Sequence, residues 1–148
     1  MLISTRGRYA LRVLIDLAQH GDGGYIPMKE IASRQGISLK YLERILPVLT
    51  KSGMIEGLQG KTGGYRLTRP PEECRIGDIL RLTEGDLAPV ACLEDGAQIC
   101  PRRERCCTLP LWREFYQVVN TFFDGKTLAD VAGNPGMPVS DAPEKDLG

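Results

Sequence analysis

The sequence lacks the features that usually mark membrane proteins, secreted proteins and enzymes. No apolar run approaches the roughly 20 residues that cross a bilayer, and the first residues do not form a secretory signal. It shows no nucleophile–base pair and no glycine-rich phosphate loop leading into a helix. Histidine occurs once, and 19 Lys and Arg balance 19 Asp and Glu, so the formal net charge is zero. We therefore expect a cytoplasmic protein that contacts no membrane and is not an enzyme.

The zero net charge conceals an uneven distribution along the chain. Residues 1–69 contain 11 Lys and Arg and 5 Asp and Glu, a net charge of +6. Residues 70–148 contain 8 Lys and Arg and 14 Asp and Glu, a net charge of −6. Either these charges are ordinary solvated surface, or contacts with a polyanion are confined to the first half of the chain.

Cysteine is rare outside one segment, in which four of the five cysteines lie between Cys92 and Cys107. Turn-forming residues predict a loop there. Cytoplasmic thiols stay reduced, so the cluster indicates metal ligands or redox sensors rather than structural disulfides. Thiolates suit iron–sulfur clusters, Zn or Cu(I), although the Cys-x2-Cys pair of structural zinc sites is absent. A disulfide switch and incidental, unligated cysteines are the alternatives. We expect Cys74 to be a small buried hydrophobe.

Hydrophobic periodicity predicts three helices and a hairpin in residues 1–69. The helices cover residues 9–20, 27–36 and 38–53, the last with Ser38 as its N-cap and with Pro47 inside it. The inward face of the third helix is predicted to comprise Leu39, Leu42, Ile45, Leu46 and Leu49. Residues 54–58 and 64–68 flank a glycine-rich turn and predict a hairpin. This order is typical of a winged helix-turn-helix domain, and a plain three-helix bundle with a solvated hairpin is the alternative.

The second half begins after Pro70 and Pro71, which mark a boundary. A short helix over residues 76–83, the cysteine loop, a long helix over 109–123 and a short segment over 128–131 make up a second unit, residues 70–132. The long helix has two adjacent apolar stripes, more than its own small domain needs. The same helix of a second subunit would cover the excess, and the expected dimer interface comprises Leu111, Trp112, Phe115, Val118, Val119 and Phe122. Residues 133–148 are predicted to be a disordered tail.

In combination, these segments resemble the Rrf-type winged-helix transcription regulators. The resemblance covers about residues 2–132 and rests on Thr5-Arg-Gly-Arg-Tyr-Ala, Ile31-Ala, Gly36-Ile-Ser, Tyr41-Leu-Glu, Gly53, Gly63-Gly-Tyr and Leu111-Trp-Arg. It implies a mainly α fold with a small β-hairpin wing, a homodimer joined by the long C-terminal helix, and DNA binding. It also implies that an iron–sulfur cluster is bound by Cys92, Cys100 and Cys106.

The resemblance leaves the fourth cluster ligand open. In the IscR branch of the family a histidine three residues after the third cysteine completes the set, and here that position is Leu109. The NsrR branch uses an N-terminal carboxylate, where residues 6–8 are Arg-Gly-Arg. Cys107 is a local candidate, and the further candidates are Glu94, Asp95, Glu104 or a residue of the partner subunit. The resemblance is compatible with either type of cluster, 2Fe–2S or 4Fe–4S. Positive charge close to the cysteines would lower thiol pKa values, and its nearby sources are Arg102, Arg103 and Arg105.

The third helix is the expected DNA-reading element, with its N-terminal half in the major groove. The residues placed to reach phosphates or bases are Ser38, Lys40, Tyr41 and Arg44, and Glu43 could accept a hydrogen bond from a cytosine amino group. The wing would follow the backbone or minor groove through Gln59, Lys61 and Arg66. Arg6 and Arg8 would add phosphate contacts.

The expected function is a homodimeric transcription regulator, such as a repressor, that senses iron–sulfur status, redox state or nitric oxide. A twofold dimer would read a pseudo-palindrome in double-stranded DNA, with half-sites about one helical turn apart. One alternative is a cluster-free regulator controlled by thiol oxidation or by a partner protein. The other is an iron–sulfur carrier that does not bind DNA.

Overall fold

The computed structural model describes residues 2–133 as six α-helices and one hairpin. Their bounds are α1 Thr5–His20, α2 Met28–Gln35, α3 Leu39–Lys51, β1 Ile55–Leu58, β2 Gly64–Leu67, α4 Ile76–Glu84, α5 Leu109–Asp124 and α6 Leu128–Ala132, with 3-10 turns at Pro71–Glu73 and Ala91–Leu93. The prediction of a mainly helical fold with a β-hairpin wing is confirmed. Within residues 2–133 each helix is too short or too polar to cross a membrane. Apart from Gly133, the predicted disordered tail lies outside the described residues.

Helix α1 begins at Thr5, four residues before the predicted start. Ser4 is its N-cap, and the Ser4 hydroxyl accepts a hydrogen bond from the backbone N–H of Gly7 at 3.1 Å. Such a cap satisfies a donor of the first turn that has no partner within the helix. Arg6 and Arg8 therefore lie inside the helix, which apolar periodicity alone could not indicate.

Helices α2 and α3 form the predicted helix-turn-helix. Gly36 ends α2 with a φ of 61°, a left-handed conformation that favours glycine. The Ser38 hydroxyl accepts a hydrogen bond from the backbone N–H of Tyr41 at 3.1 Å and caps α3 as predicted. The prediction of an inward-facing Leu39 is wrong, because 39% of this residue is exposed. At about 100° per residue, Leu39 lies about 70° from the centre of the buried stripe and in the first turn.

One continuous hydrophobic core joins the two halves of the chain. Helix α1 runs through its centre and contacts α2, α3, α4, α6 and the wing. The core includes fully buried Leu14, Leu42, Ile79 and Leu128. Cys74 also belongs to it and is 7% exposed, so the prediction of a buried cysteine is confirmed.

The wing is an antiparallel pair in which Ile55 lies opposite Leu67 and Leu58 opposite Gly64. Ile26 and Tyr65 exchange two backbone hydrogen bonds of 2.8 Å, which tie the hairpin to the segment before α2. A Cβ atom on Gly64 would collide with the Ile26 carbonyl, so this approach requires glycine. The wing tip, residues 59–62, is exposed.

A buried ion pair connects α1 to the helix-turn-helix. Asp16 is completely buried, and its two carboxylate oxygens accept hydrogen bonds of 3.0 and 2.9 Å from Arg34 and one of 3.0 Å from Gln35. Burial acts to raise the pKa of Asp16, but the hydrogen bonds from Arg34 and Gln35 outweigh it, so the pKa lies below its ordinary value. The pair therefore stabilises the fold above the unfolded-state pKa of about 3.9, and this contribution is lost as the pH falls through the lower folded-state pKa.

Replacing Arg34 by Ala is expected to lower the free energy of unfolding at pH 7 by about 3 kcal/mol. This value is the low end for breaking a buried pair, because a third of Arg34 is exposed. Urea unfolding would measure the loss. Lys29→Ala, on the exposed side of α2, is the control and should change stability by less than about 0.5 kcal/mol. Without Arg34 the buried Asp16 protonates more readily, so the deficit should shrink towards pH 4; an equal deficit at both pH values would contradict this interpretation.

Candidate DNA-binding surface and cysteine cavity

Helix α3 presents a group of exposed charged side chains near its N-terminal end. Lys40, Glu43 and Arg44 are all exposed, and their spacing places them on one face. Within residues 2–133 none of the three makes a side-chain hydrogen bond or ion pair. They are therefore available to an external ligand that carries both negative charge and hydrogen-bond donors.

Tyr41 lies on the other side of α3 and is half-buried. Its ring packs edge-to-face on that of Tyr9, with the ring centroids 5.0 Å apart. The guanidinium of Arg12 lies 5.1 Å from the centroid of the Tyr9 ring and donates a hydrogen bond to the backbone carbonyl of Gln35. These contacts hold α3 against α1, so Tyr41 helps to fix the angle of the helix that carries the exposed charges.

The first turns of α1 pack against the end of α4. The backbone N–H and hydroxyl of Ser4 donate hydrogen bonds of 3.1 and 2.6 Å to Glu84. Arg6 donates a hydrogen bond of 2.8 Å to the carbonyl of Thr83. Arg8 is exposed, and within residues 2–133 its side chain makes one hydrogen bond, to the hydroxyl of Thr5 at 3.1 Å. Of the two arginines predicted to bind phosphate, Arg8 is the less constrained.

The wing contributes two exposed polar residues, Gln59 and Lys61, and one arginine that is held within the subunit. Arg66 pairs with Glu56, donates a hydrogen bond of 3.0 Å to the carbonyl of Gly23, and lies 4.4 Å from the centroid of the Tyr25 ring. These three contacts brace the base of the wing. Arg66 therefore has a structural role that sequence reasoning, which predicts only a DNA contact, did not find.

Three cysteines line one cavity of about 210 Å³ at the start of α5: Cys92, Cys100 and Cys106. Cys107 does not line it, and its thiol lies 3.9 Å from the carbonyl of Arg105. Among residues 2–133 no three His, Cys, Asp or Glu side chains converge tightly enough to hold a single metal ion. A polynuclear cluster distributes its ligands over several metal atoms, so thiols arranged around a cavity suit it better than they suit a mononuclear site.

The Cys106 thiol has hydrogen-bond donors that stabilise its ionised form. Its sulfur lies 3.3 Å from the Thr108 hydroxyl. Hydrogen bonds from the Thr108 side chain and backbone, and from the Leu109 backbone at the start of α5, lower the pKa of Cys106, with a smaller contribution from Arg102. The thiolate, which is the form that binds metals, is therefore favoured at this position.

Thr108→Val is expected to slow alkylation of Cys106 by iodoacetamide severalfold at pH 7 in the cluster-free protein. The substitution removes the largest contribution to the lowered pKa, so less thiolate is present. Mass spectrometry of cysteine-containing peptides over a pH series would measure the rates. Alkylation of Cys92 in the same sample is the control and should not change. A Cys106 rate equal to that of the wild type would contradict the assigned cause.

Helix α5 carries an uncovered apolar face, called here the α5 stripe: Leu111, Phe115, Val118 and Phe122. These residues are 57%, 42%, 59% and 57% exposed. Their spacing of four, three and four residues is that of a coiled-coil seam. Of the other two residues predicted at a dimer interface, Trp112 is half-buried and Val119 belongs to the core of the subunit. Of the six predicted interface residues, the four of the α5 stripe are therefore exposed in the described subunit.

Arg81 of α4 makes polar contacts with the C-terminal half of α5. Arg81 donates hydrogen bonds of 2.8 and 2.9 Å to the carboxylate of Asp124 and one of 2.7 Å to Asn120. The bonds from Arg81 lower the pKa of Asp124. Because Thr83 and Glu84 at the same C-terminal end of α4 contact Arg6 and Ser4, this end of the helix connects α5 with the start of α1.

Sequence reasoning missed two residues near the cysteines: Arg113, which lines the cavity, and Thr108, whose hydroxyl contacts the Cys106 thiol. Arg113 lies one turn after Leu109, and both line the cavity. The family resemblance directs attention to Leu109 as the position of a ligand. Arg113 lies four residues later, on the same helix face, so this spacing could have indicated it. Thr108 gave no comparable signal, because a threonine before a helix is read simply as a cap.

Known proteins that resemble this chain in sequence and in fold include transcriptional regulators. The family model "Rrf2: Iron-dependent Transcriptional regulator" matches residues 3–134. Protein rrf2 of Nitratidesulfovibrio vulgaris is 42% identical over 135 residues, which cover 88% of this chain and 87% of that protein. The HTH-type transcriptional regulator IscR of Aliivibrio salmonicida is 34% identical over 142 residues, which cover 95% of this chain and 83% of that protein. The solved structure of CymR (YrzC), the global cysteine regulator of B. subtilis, matches with a TM-score of 0.76 at 34% identity, over 92% of this chain and 99% of that chain.

Proposed function

On the premise that the chain belongs to the Rrf2 family of transcriptional regulators, we propose that it is a homodimeric DNA-binding regulator controlled by an iron–sulfur cluster. Cys92, Cys100 and Cys106 are the proposed cluster ligands. The observation that carries the proposal is that these three cysteines, and not Cys107, line one cavity. Residues 1–69 would read DNA, residues 70–132 would bind the cluster and join two subunits, and the protein would act in the cytoplasm.

The proposed DNA-reading surface consists of α3, the wing tip and the start of α1. Lys40, Glu43 and Arg44 would reach base edges or phosphates from the major groove. Ser38 caps α3, so the backbone at its N-terminus is held in place for contact with a phosphate. Gln59 and Lys61 on the wing and Arg8 on α1 would bind the DNA backbone on either side.

Lys61 and Arg66 are expected to affect DNA binding in different ways. Lys61→Ala removes an exposed cation, so it should lower the slope of log affinity against log salt concentration by about 1 per subunit. Arg66 is already paired with Glu56 and Tyr25, so Arg66→Ala should weaken binding by loosening the wing while leaving that slope unchanged. Fluorescence anisotropy with the protein's own promoter at several salt concentrations would measure both. An equal fall in slope for the two variants would contradict the structural role of Arg66.

The cysteine cavity offers three of the thiolate donors that an iron–sulfur cluster takes, and it carries positive charge. When bound, the cluster would supply a chemistry that responds to oxidants, nitric oxide or iron supply. Cys92, Cys100 and Cys106 would provide thiolates, and the hydrogen bonds to Cys106 at the start of α5 favour the ionised form. Arg103 and Arg113 line the same cavity and would offset the negative charge of the thiolates.

The α5 stripe would form the dimer interface. Four apolar side chains at coiled-coil spacing are exposed on one helix, and packing against the same helix of a second copy would remove them from water. A twofold arrangement places two recognition helices about one helical turn of DNA apart. The regulator would then read a pseudo-palindromic operator.

Helix α4 would transmit changes in the cysteine loop to the DNA-reading surface. The loop ends at α5, Arg81 joins α4 to Asp124 and Asn120 of α5, and Glu84 joins α4 to Ser4 of α1. A shift of α5 that accompanies gain or loss of the cluster would therefore reach α1 and, through Tyr9 and Tyr41, α3.

A regulator that works through thiol oxidation without a cluster is the second candidate, and the lowered pKa of Cys106 favours it. Anaerobic purification separates the two. The cluster proposal expects a brown protein with visible absorption, bound iron and acid-labile sulfide, together with binding to its own promoter. A protein that stays colourless after anaerobic reconstitution with iron and sulfide, yet binds DNA, would reject the cluster in favour of the thiol mechanism. Absence of DNA binding in every state would instead favour an iron–sulfur carrier.

A further inference from the structure

The cysteine cavity offers three thiolates but no equivalent fourth ligand within the described residues. Its remaining lining side chains are Leu93, Ala97, Gln98, Ile99, Arg103, Leu109 and Arg113. None of them is a carboxylate, imidazole or thiol. Gln98 has an amide oxygen, but a neutral, hard oxygen matches an iron–sulfur cluster poorly compared with a thiolate. One iron of a bound cluster would thus lack a strong protein ligand in this subunit.

Two arginines at the same cavity have no partner inside the described part of the chain. Elsewhere Arg34, Arg66 and Arg81 each pair with a carboxylate. Arg103 and Arg113 make no side-chain hydrogen bond or ion pair within residues 2–133. Arg113 lies one turn after Leu109 on the same face of α5, and both side chains line the cavity.

From these two observations we infer that a small exogenous thiol bearing a carboxylate completes the site. This inference rests on the proposed cluster. Thiolate is the donor that iron–sulfur clusters prefer, and a carboxylate is the anion that a guanidinium binds through two parallel hydrogen bonds. On binding, the thiol would lose its proton to solvent and its sulfur would replace a water molecule at the cluster, with no change in oxidation state. Arg113 and Arg103 hold the carboxylate, so the protein would report the concentration of such a thiol as well as the presence of the cluster.

The test compares two thiols that differ in charge. Anaerobically reconstituted, thiol-free protein is titrated with 3-mercaptopropionate and, separately, with neutral 2-mercaptoethanol, while visible circular dichroism and the electron paramagnetic resonance of the reduced cluster are followed. The charge-assisted contact should make 3-mercaptopropionate bind about tenfold more tightly. Arg113→Gln should abolish that preference. Arg105→Gln, a change at a loop arginine that does not line the cavity, is the control and should preserve it.

A second, independent experiment supplies the missing cluster ligand from the protein itself. Leu109→Cys places a thiol on the cavity wall, so the variant should keep its cluster and respond to neither reagent, whereas Gln98→Leu should keep both the cluster and the response.

Equal affinity for the two thiols would overturn the role of the arginines. A cluster-loaded wild type that responds to neither thiol would overturn the open position and indicate a ligand from the partner subunit or from outside residues 2–133. A protein that binds no cluster would overturn this inference together with the proposed function.

Discussion

Val118→Asp is expected to convert the protein from a dimer into a monomer and to weaken its binding to its operator by about 10²- to 10⁴-fold. Val118 is 59% exposed in the centre of the α5 stripe, where a carboxylate would have to be buried without a partner in the proposed interface. Each monomer would then reach only one half-site. Sedimentation equilibrium would measure the mass, and fluorescence anisotropy with the promoter fragment would measure the affinity.

The control for this variant is Gln117→Glu, which adds the same charge to the neighbouring residue, off the α5 stripe. Both side chains are exposed in the subunit, so both variants should retain the wild-type helical circular dichroism. Gln117→Glu should also remain dimeric. A dimeric Val118→Asp variant with unchanged operator affinity would show that two subunits associate through another surface.

Loss of any one of three cysteines is expected to remove nearly all visible absorption and bound iron. Cys92, Cys100 and Cys106 line the cavity, and each would supply one of only three thiolates. Deleting one leaves two, which is too few to hold a cluster against exchange with solvent. Anaerobic absorption spectra and iron and sulfide analyses of Cys92→Ala, Cys100→Ala and Cys106→Ala would measure the effect.

The chain provides two matched controls for these substitutions. Cys107→Ala removes a neighbouring thiol outside the cavity, and Cys74→Ala removes a buried one in the core. Cys107→Ala should keep the full spectrum, and Cys74→Ala should keep it while losing some stability. A colourless Cys107→Ala variant would make Cys107 a ligand and remove the reason to look for an exogenous one.

Local sequence patterns predicted most of the fold, because they determine where helices and turns form. The apolar spacing of α3, its cap at Ser38 and the left-handed Gly36 all depend on nearby residues and were read correctly. The start of α1 was missed because its N-cap Ser4 is held by Glu84, 80 residues away in the sequence. Leu39 was misplaced because periodicity gives a face but not the position of the neighbouring helices.

The features of the site that could be predicted are likewise those that depend on nearby residues, and most of the features that were missed depend on contacts between distant parts of the chain. The family resemblance selected the three cysteines that share the cavity and excluded Cys107 from the principal set. It did not assign Arg66 to Glu56, which lies opposite it in the hairpin. It could not show the contact with Tyr25, because that contact depends on how the wing packs on the segment before α2. Asp16 likewise reads as an ordinary polar residue on an amphipathic helix, and only the fold brings Arg34 to it. The burial of Val119 follows from the placement of α5 on α4, which periodicity alone does not give.

Operator-binding isotherms of the anaerobic wild-type protein, measured with and without its cluster at one salt concentration, test the central claim most directly. If the cluster controls DNA binding through α5 and α4, the two dissociation constants should differ by at least about fivefold, the lower end of typical allosteric coupling. The Cys106→Ala variant should then bind with the affinity of the cluster-free protein under both conditions. Equal affinities of the cluster-loaded and cluster-free wild type would contradict the claim that this protein senses through its cysteine cavity.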